Sequence, residues 1–211
     1  RFYGFLQGET DQFHPELTLD NHHIERPTDK ENYHLSEDLV ENACKFINDS
    51  KSIYPERPFF LYLTFGDTHA PHQAPQEFLD KYRGKFDAGW DQIRTEWFTK
   101  QKELGVIPAD TVLADRNPGV EEWDSLSSNQ KSFACRLQEA FAGMLDHTDA
   151  QIGNLLKYLD DMGLKENTIV MLLSDNGASQ EGGPTGLMDE MKYFNMVPEN
   201  VDKAVEKLDD I

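Results

Sequence analysis

Two short apolar runs, each passing directly into a polar turn, constrain this chain more than any other feature. The first is Phe59-Phe60-Leu61-Tyr62-Leu63-Thr64-Phe65, followed by Gly66-Asp67-Thr68-His69-Ala70-Pro71-His72-Gln73-Ala74-Pro75. The second is Thr168-Ile169-Val170-Met171-Leu172-Leu173, followed by Ser174-Asp175-Asn176-Gly177. Runs of this length and composition suit strands buried on both faces. Pro71 and Pro75 forbid helix in the first turn, so it leaves its strand's carboxyl end as a loop.

Helical patterns surround these runs. Ser36 reads as an N-cap, with Glu37 and Asp38 placed where the helix dipole favours acids. Leu39, Val40, Ala43, Phe46 and Ile47 mark one face of a helix ending near Asp49. Residues 76–104 read as a charged helical excursion, and 106–125, with Pro108, Pro118 and Gly119, as a connector. From 129 to 162, Phe133, Leu137, Phe141, Met144, Ile152, Leu155, Leu156 and Leu159 keep a 3.6-residue period. Thr148 is its one polar interruption, and Gly163 reads as the C-cap. Residues 1–34 read as loop, and the chain ends in an acidic helix-like tail. The order helix, strand, helices, strand predicts an α/β fold, with a partly parallel sheet flanked by helices.

The formal charge is −19, from 39 acidic and 20 basic residues. That field disfavours nucleic acid and anionic membranes, which require basic patches. It also repels any anionic substrate, so an anion site here needs a local cation. No run approaches the roughly 20 apolar residues that span a bilayer. Cys44 and Cys135 lack metal-ligand spacing, and the compartment stays open.

In open α/β sheets, ligands gather outside the carboxyl ends of the strands. One such end carries His69 and His72, the other Asp175 and Asn176. Asp175 and Asn176 offer a carboxylate and an amide carbonyl, hard donors suited to Ca²⁺ or Mg²⁺, while Gly177 lets the backbone turn sharply. Two donors fall short of the six to eight oxygens usual for Ca²⁺, and Asp-Asn-Gly is also an ordinary turn. Either His69 or His72 can bind an anion when charged or donate a proton to a departing oxygen. Spacing and composition do not separate them. His22 and His23, after Asp20-Asn21, are a lesser candidate cluster for substrate or metal.

Several words of the sequence, in this order, resemble type I sulfatases of the alkaline phosphatase superfamily, specifically bacterial arylsulfatases. They are Arg1-Phe2-Tyr3-Gly4-Phe5, Gly8-Glu9-Thr10-Asp11-Gln12, the stretch from Thr68 to Pro75, Lys81-Tyr82-Arg83-Gly84-Lys85-Phe86-Asp87, Lys102-Glu103-Leu104-Gly105 and Ser174-Asp175-Asn176-Gly177-Ala178. The resemblance implies an alkaline-phosphatase-like sulfatase domain that hydrolyses a small-molecule or carbohydrate sulfate monoester. It implies Asp175 and Asn176 as ligands of a divalent metal, usually Ca²⁺. It also implies His69 as the residue that contacts the sulfate and protonates the leaving oxygen. His72, His22 and His23 then rank as lesser substrate contacts.

The same resemblance implies a formylglycine nucleophile, made from Cys or Ser in a Cys/Ser-x-Pro/Ala-x-Arg motif. Neither Cys44 nor Cys135 stands in such a motif, so the chain holds no nucleophile. Residues 1–211 are therefore expected to be the central part of a catalytic domain truncated at both ends, starting after the nucleophile region and stopping before the last Lys-bearing substrate segment. On that expectation the isolated chain gives no turnover of an aryl sulfate with added Ca²⁺, and its exposed strand edges promote self-association. Periplasmic or secreted placement fits bacterial relatives, but no leader is present to fix it. Two other readings stand beside this one: phosphate or phosphonate ester hydrolysis on the same scaffold, and a degenerate binding module without activity.

Overall fold

The N-terminal segment, expected to be loop, holds the sheet that forms. In this computed structural model, which describes residues 1–174, 176–177, 182–189 and 191–210 (backbone alone at 209 and 210), strands β1 (Tyr3–Gly4), β2 (Leu17–Leu19) and β3 (His22–Ile24) pair in the order β1-β2-β3. Both pairings are antiparallel, with Tyr3 opposite Leu19 and Leu19 opposite His22. Asp20 turns the β2-β3 hairpin with a φ of 53°, a left-handed conformation that Asp tolerates better than most residues. Strands of two or three residues carry too little alternation to be read as such from sequence.

Helix α1 (Leu35–Ile53) lies against this sheet and runs one turn past the expected end at Asp49. Leu17, Tyr33, Leu35 and Leu39 form its core, joined by the partly buried Tyr3, Phe5, Ile24, Leu63 and Phe65. The side chain that caps α1 is His34, not Ser36: the imidazole accepts the Ser36 backbone N–H. The Ser36 hydroxyl is turned instead to Asp67.

Neither apolar run is a strand among the described residues, and no parallel pairing occurs there. Burial of residues 59–65 alternates: Leu63 and Phe65 meet the core, while Phe60 is 87% and Tyr62 81% exposed. Residues 168–173 are still more open, with Ile169 91% and Leu173 78% exposed. Extended backbone needs a neighbouring ladder to satisfy its N–H and C=O groups. The described residues bring no such neighbour to either run, so the expected burial on both faces is not found.

The chain divides into two units, Arg1–Phe78 with Gly143–Gly177, and Leu79–Ala142 with the described residues after Gly177. Helix α2 (Gln76–Asp80) and helix α3 (Gly89–Glu103) replace the single helical excursion expected at 76–104. In the second unit Gly89, at a φ of 79°, lies against Trp123, where an added Cβ would come within 2.2 Å of the indole. Helix α4 (Ser128–Asp161) follows the periodicity closely, and Gly163 takes the left-handed φ of 66° expected of its cap. The acidic tail forms the short helices α5 (Met191–Phe194) and α6 (Val201–Ala204). No helix among the described residues is long and apolar enough to cross a membrane.

Candidate active site

The loop of residues 66–75 is held by groups that precede it in sequence. The His34 Nδ1 accepts the Ser36 N–H at 3.2 Å, which leaves Nε2 to carry the proton and donate to the Gln73 carbonyl at 3.1 Å. Only the neutral imidazole makes both bonds. Burial, with the neighbouring His147 acting in the same direction, holds His34 below the ordinary histidine range. Near the other end of the loop, Ser36 Oγ donates to Asp67 Oδ2 at 2.6 Å.

Gln73 adds a third tie. Its Oε1 accepts the Gln12 N–H at 2.7 Å, and its Nε2 donates to Asp11 Oδ2 at 2.9 Å. Burial works to raise the Asp11 carboxyl. The bonds from Gln73 and from the His14 and Phe13 N–H groups outweigh it and hold Asp11 below its usual value.

On this frame His69 is partly exposed, its Nδ1 2.9 Å from the Ala70 carbonyl and 3.7 Å from Glu9 Oε2. With Nδ1–H as the donor to the Ala70 carbonyl, the neutral ring carries its proton on Nδ1. His72 is set differently. Its Nε2–H donates to Thr68 O within the same loop at 3.2 Å, and burial pushes it below the ordinary range, with charge on His69 adding to the effect. The two histidines that the sequence leaves equivalent thus occupy different environments.

Asn176 is exposed in the turn after residues 168–173, and Ser174 Oγ donates to its carbonyl at 2.8 Å. Asp175 lies outside the described residues. Gly177 stands open, with no atom within 4 Å of an added Cβ, so neither a close approach nor a left-handed backbone requires glycine there. The donor chemistry of Asn176 suits a hard cation, yet no group of three or more His, Cys, Asp or Glu that could hold a metal occurs among the described residues. What is present is a partial donor set. His22 and His23 are exposed on β3, paired with Leu19 and Thr18.

A buried polar group behind the loop escapes sequence reading. His147 is wholly buried on α4, with Nε2 3.1 Å from Glu37 Oε1 and 3.3 Å from Gln151 Nε2. Its ring meets His34 edge to face at 4.3 Å between centroids. The signal was available in the helical period, since Met144, His147, Gln151 and Leu155 share one face. Thr148, the apparent interruption, bonds back to Met144 O at 3.1 Å.

Residues 1–201 match the family model described as Sulfatase. The chain belongs to the sulfatase family. It is 34% identical over 194 residues to an uncharacterized sulfatase of Schizosaccharomyces pombe, covering 90% of this chain and 34% of that protein. To an arylsulfatase of Klebsiella aerogenes it is 31% identical over 179 residues, 83% of this chain and 36% of that enzyme. An ulvan-active sulfatase of Formosa agariphila is 29% identical over 143 residues, 66% of this chain and 20% of that protein. The sulfatase chain described here spans about a third of the length of the first two relatives. Membership implies an alkaline-phosphatase-like α/β fold.

Proposed function

We propose that the protein to which this chain belongs hydrolyses sulfate monoesters, R–O–SO₃⁻ + H₂O → R–OH + HSO₄⁻, with residues 1–211 as the central part of its catalytic domain. The match of residues 1–201 to the sulfatase family carries the proposal. In this reading protonated His69 faces the sulfate and gives its Nε2 proton to the ester oxygen as the S–O bond breaks. A poor leaving group gains most from that transfer. The environment of His72, half-buried and bonded within its own loop, supports His69 over His72 for the role. His22 and His23, exposed on a strand, are left as peripheral substrate contacts.

Asp175 and Asn176 supply two oxygen ligands to a divalent cation, Ca²⁺ by preference, the remaining donors coming from other segments. Such a cation would offset negative charge on the sulfate oxygens, and a formylglycine expected outside residues 1–211 would supply the nucleophile. The net charge of −19 makes such local positive charge necessary for an anionic substrate. Residues 59–65 and 168–173 belong to the mainly parallel sheet in this reading, and their exposed apolar side chains support self-association of the isolated chain.

The test is turnover of 4-nitrophenyl sulfate and 4-nitrophenyl phosphate by the protein expressed from its complete reading frame. Preference for the sulfate, with a loss of about 10²- to 10⁴-fold in kcat on His69→Ala, is expected. Preference for the phosphate, or turnover of neither, overturns the assignment.

A further inference from the structure

We infer that His34 is a positioning residue for His69, acting through its bond to the Gln73 carbonyl. This rests on the role proposed for His69. Two residues at the start of α1, His34 and Ser36, hold the His69 loop at two points, one on each side of that residue. Ser36 Oγ takes Asp67 on the N-terminal side, and His34 Nε2 takes the Gln73 carbonyl on the C-terminal side. The grip at Gln73 is reinforced by its side-chain bonds to Gln12 N and Asp11 Oδ2.

His34 cannot easily swing away. It is 1% exposed, with Phe13 edge-on at 5.4 Å and His147 edge-on at 4.3 Å between ring centroids. His147 is in turn fixed by Glu37 Oε1 and lies close to Gln151 Nε2. The backbone carrying His69 is thereby tied to the first turn of a 19-residue helix rather than left as an exposed connector. General-acid catalysis requires this, because a displacement of about 1 Å at a proton donor can reduce the rate about 100-fold.

One residue serves two purposes here, capping α1 through Nδ1 and holding the loop through Nε2, and the two can be separated. Asn places an acceptor near the Nδ1 position and is a favoured N-cap, but its amide stops short of Gln73 O. Gln reaches the Nε2 position with an N–H donor and gives up the cap. His34→Asn therefore keeps the cap and releases the loop, while His34→Gln does the reverse.

The experiment measures kcat for phenyl sulfate and 4-nitrophenyl sulfate with wild type, His34→Asn, His34→Gln, Ser36→Ala and His69→Ala, each made in the protein expressed from its complete reading frame. Phenoxide is the poorer leaving group and depends more on protonation. His69→Ala is expected to lose far more activity on phenyl sulfate than on 4-nitrophenyl sulfate. His34→Asn should show the same selective loss, about 10- to 100-fold on phenyl sulfate. His34→Gln should stay near wild type in the ratio of the two substrates despite a lower Tm. Ser36→Ala, which releases the other side of the loop with a small change of volume, should lean in the direction of His34→Asn and provides the reading if His34→Asn does not fold. Selective loss in His69→Ala with an unchanged ratio in His34→Asn and Ser36→Ala overturns the positioning role alone. A worse ratio in His34→Gln than in His34→Asn overturns it too, since the cap would then be what matters. Equal loss on both substrates in His69→Ala removes the leaving-oxygen role itself and the inference with it.

Discussion

The loop bearing His69 and the turn bearing Asn176 each follow an apolar run of six or seven residues, yet the two runs meet different surroundings. Residues 59–65 place Leu63 and Phe65 on the core beside α1, and the loop beyond is bonded to His34, Ser36, Asp11 and Gln12. Residues 168–173 expose nearly every side chain, and among the described residues of the turn beyond, Ser174 Oγ bonds to Asn176 O. A functional loop is positioned only as well as the groups that satisfy its backbone and bury its neighbours. By that measure the histidine side of the proposed site is built from residues within this chain, whereas Asn176, the described residue of the metal side, is exposed.

Core substitutions should separate the two regions most strongly. Leu35 is fully buried at the start of α1, and Leu35→Ala should reduce the unfolding free energy of the chain by about 2–5 kcal/mol. Leu172 is 76% exposed, and Leu172→Ala should change it by no more than about 0.5 kcal/mol. Urea titration of both variants checks the contrast, and comparable losses would erase it.

The helices on either side were legible in the sequence, whereas the difference between the two apolar runs was hidden for physical reasons. The periodicity of α1 and α4 and the stop at Gly163 were readable because local spacing decides them. The apolar runs read as strands buried on both faces, but whether a run finds a ladder depends on what lies beside it. Composition cannot report that for Phe60, Tyr62 or Ile169. His34 displaced Ser36 as the cap because Asp67, 31 residues on, draws the Ser36 hydroxyl away. The His147–Glu37 pair spans 110 residues, a separation that spacing rules do not reach. The donor chemistry of Asn176 and the imidazole of His69 mark them as candidates in the sequence, and the resemblance implies their roles, whereas the frame holding His69 is visible only in the folded chain.

A smaller effect should appear with pH. His34 and His72 are both held below the ordinary histidine value of 6.5, chiefly by burial. The unfolded imidazoles therefore bind protons that the folded ones refuse. Stability is full above about pH 7 and falls as the pH drops through 6.5 toward the depressed folded values, by at most about 1.4 kcal/mol per pH unit for each proton. His34→Asn should flatten that slope. An unchanged slope would mean that His34 is not the neutral, buried group described here. The turn after residues 168–173 has no titrating histidine and should contribute nothing in this window.

The smallest effect is expected at the exposed turn. Asn176→Ala should leave the unfolding free energy within about 0.5 kcal/mol of wild type. In the protein expressed from its complete reading frame, the same change should weaken Ca²⁺ binding in a calorimetric titration. A large stability loss with undisturbed Ca²⁺ binding would make Asn176 a structural residue.

In the proposed site the histidine loop and the acidic turn serve one anion. A crystal structure of the protein from its complete reading frame, grown with Ca²⁺ and sulfate, measures this directly. His69 Nε2 should lie within hydrogen-bonding distance of a sulfate oxygen, with Asp175 and Asn176 coordinating the cation against that same sulfate. A cation held without those two residues, or a sulfate bound out of reach of His69, would contradict it.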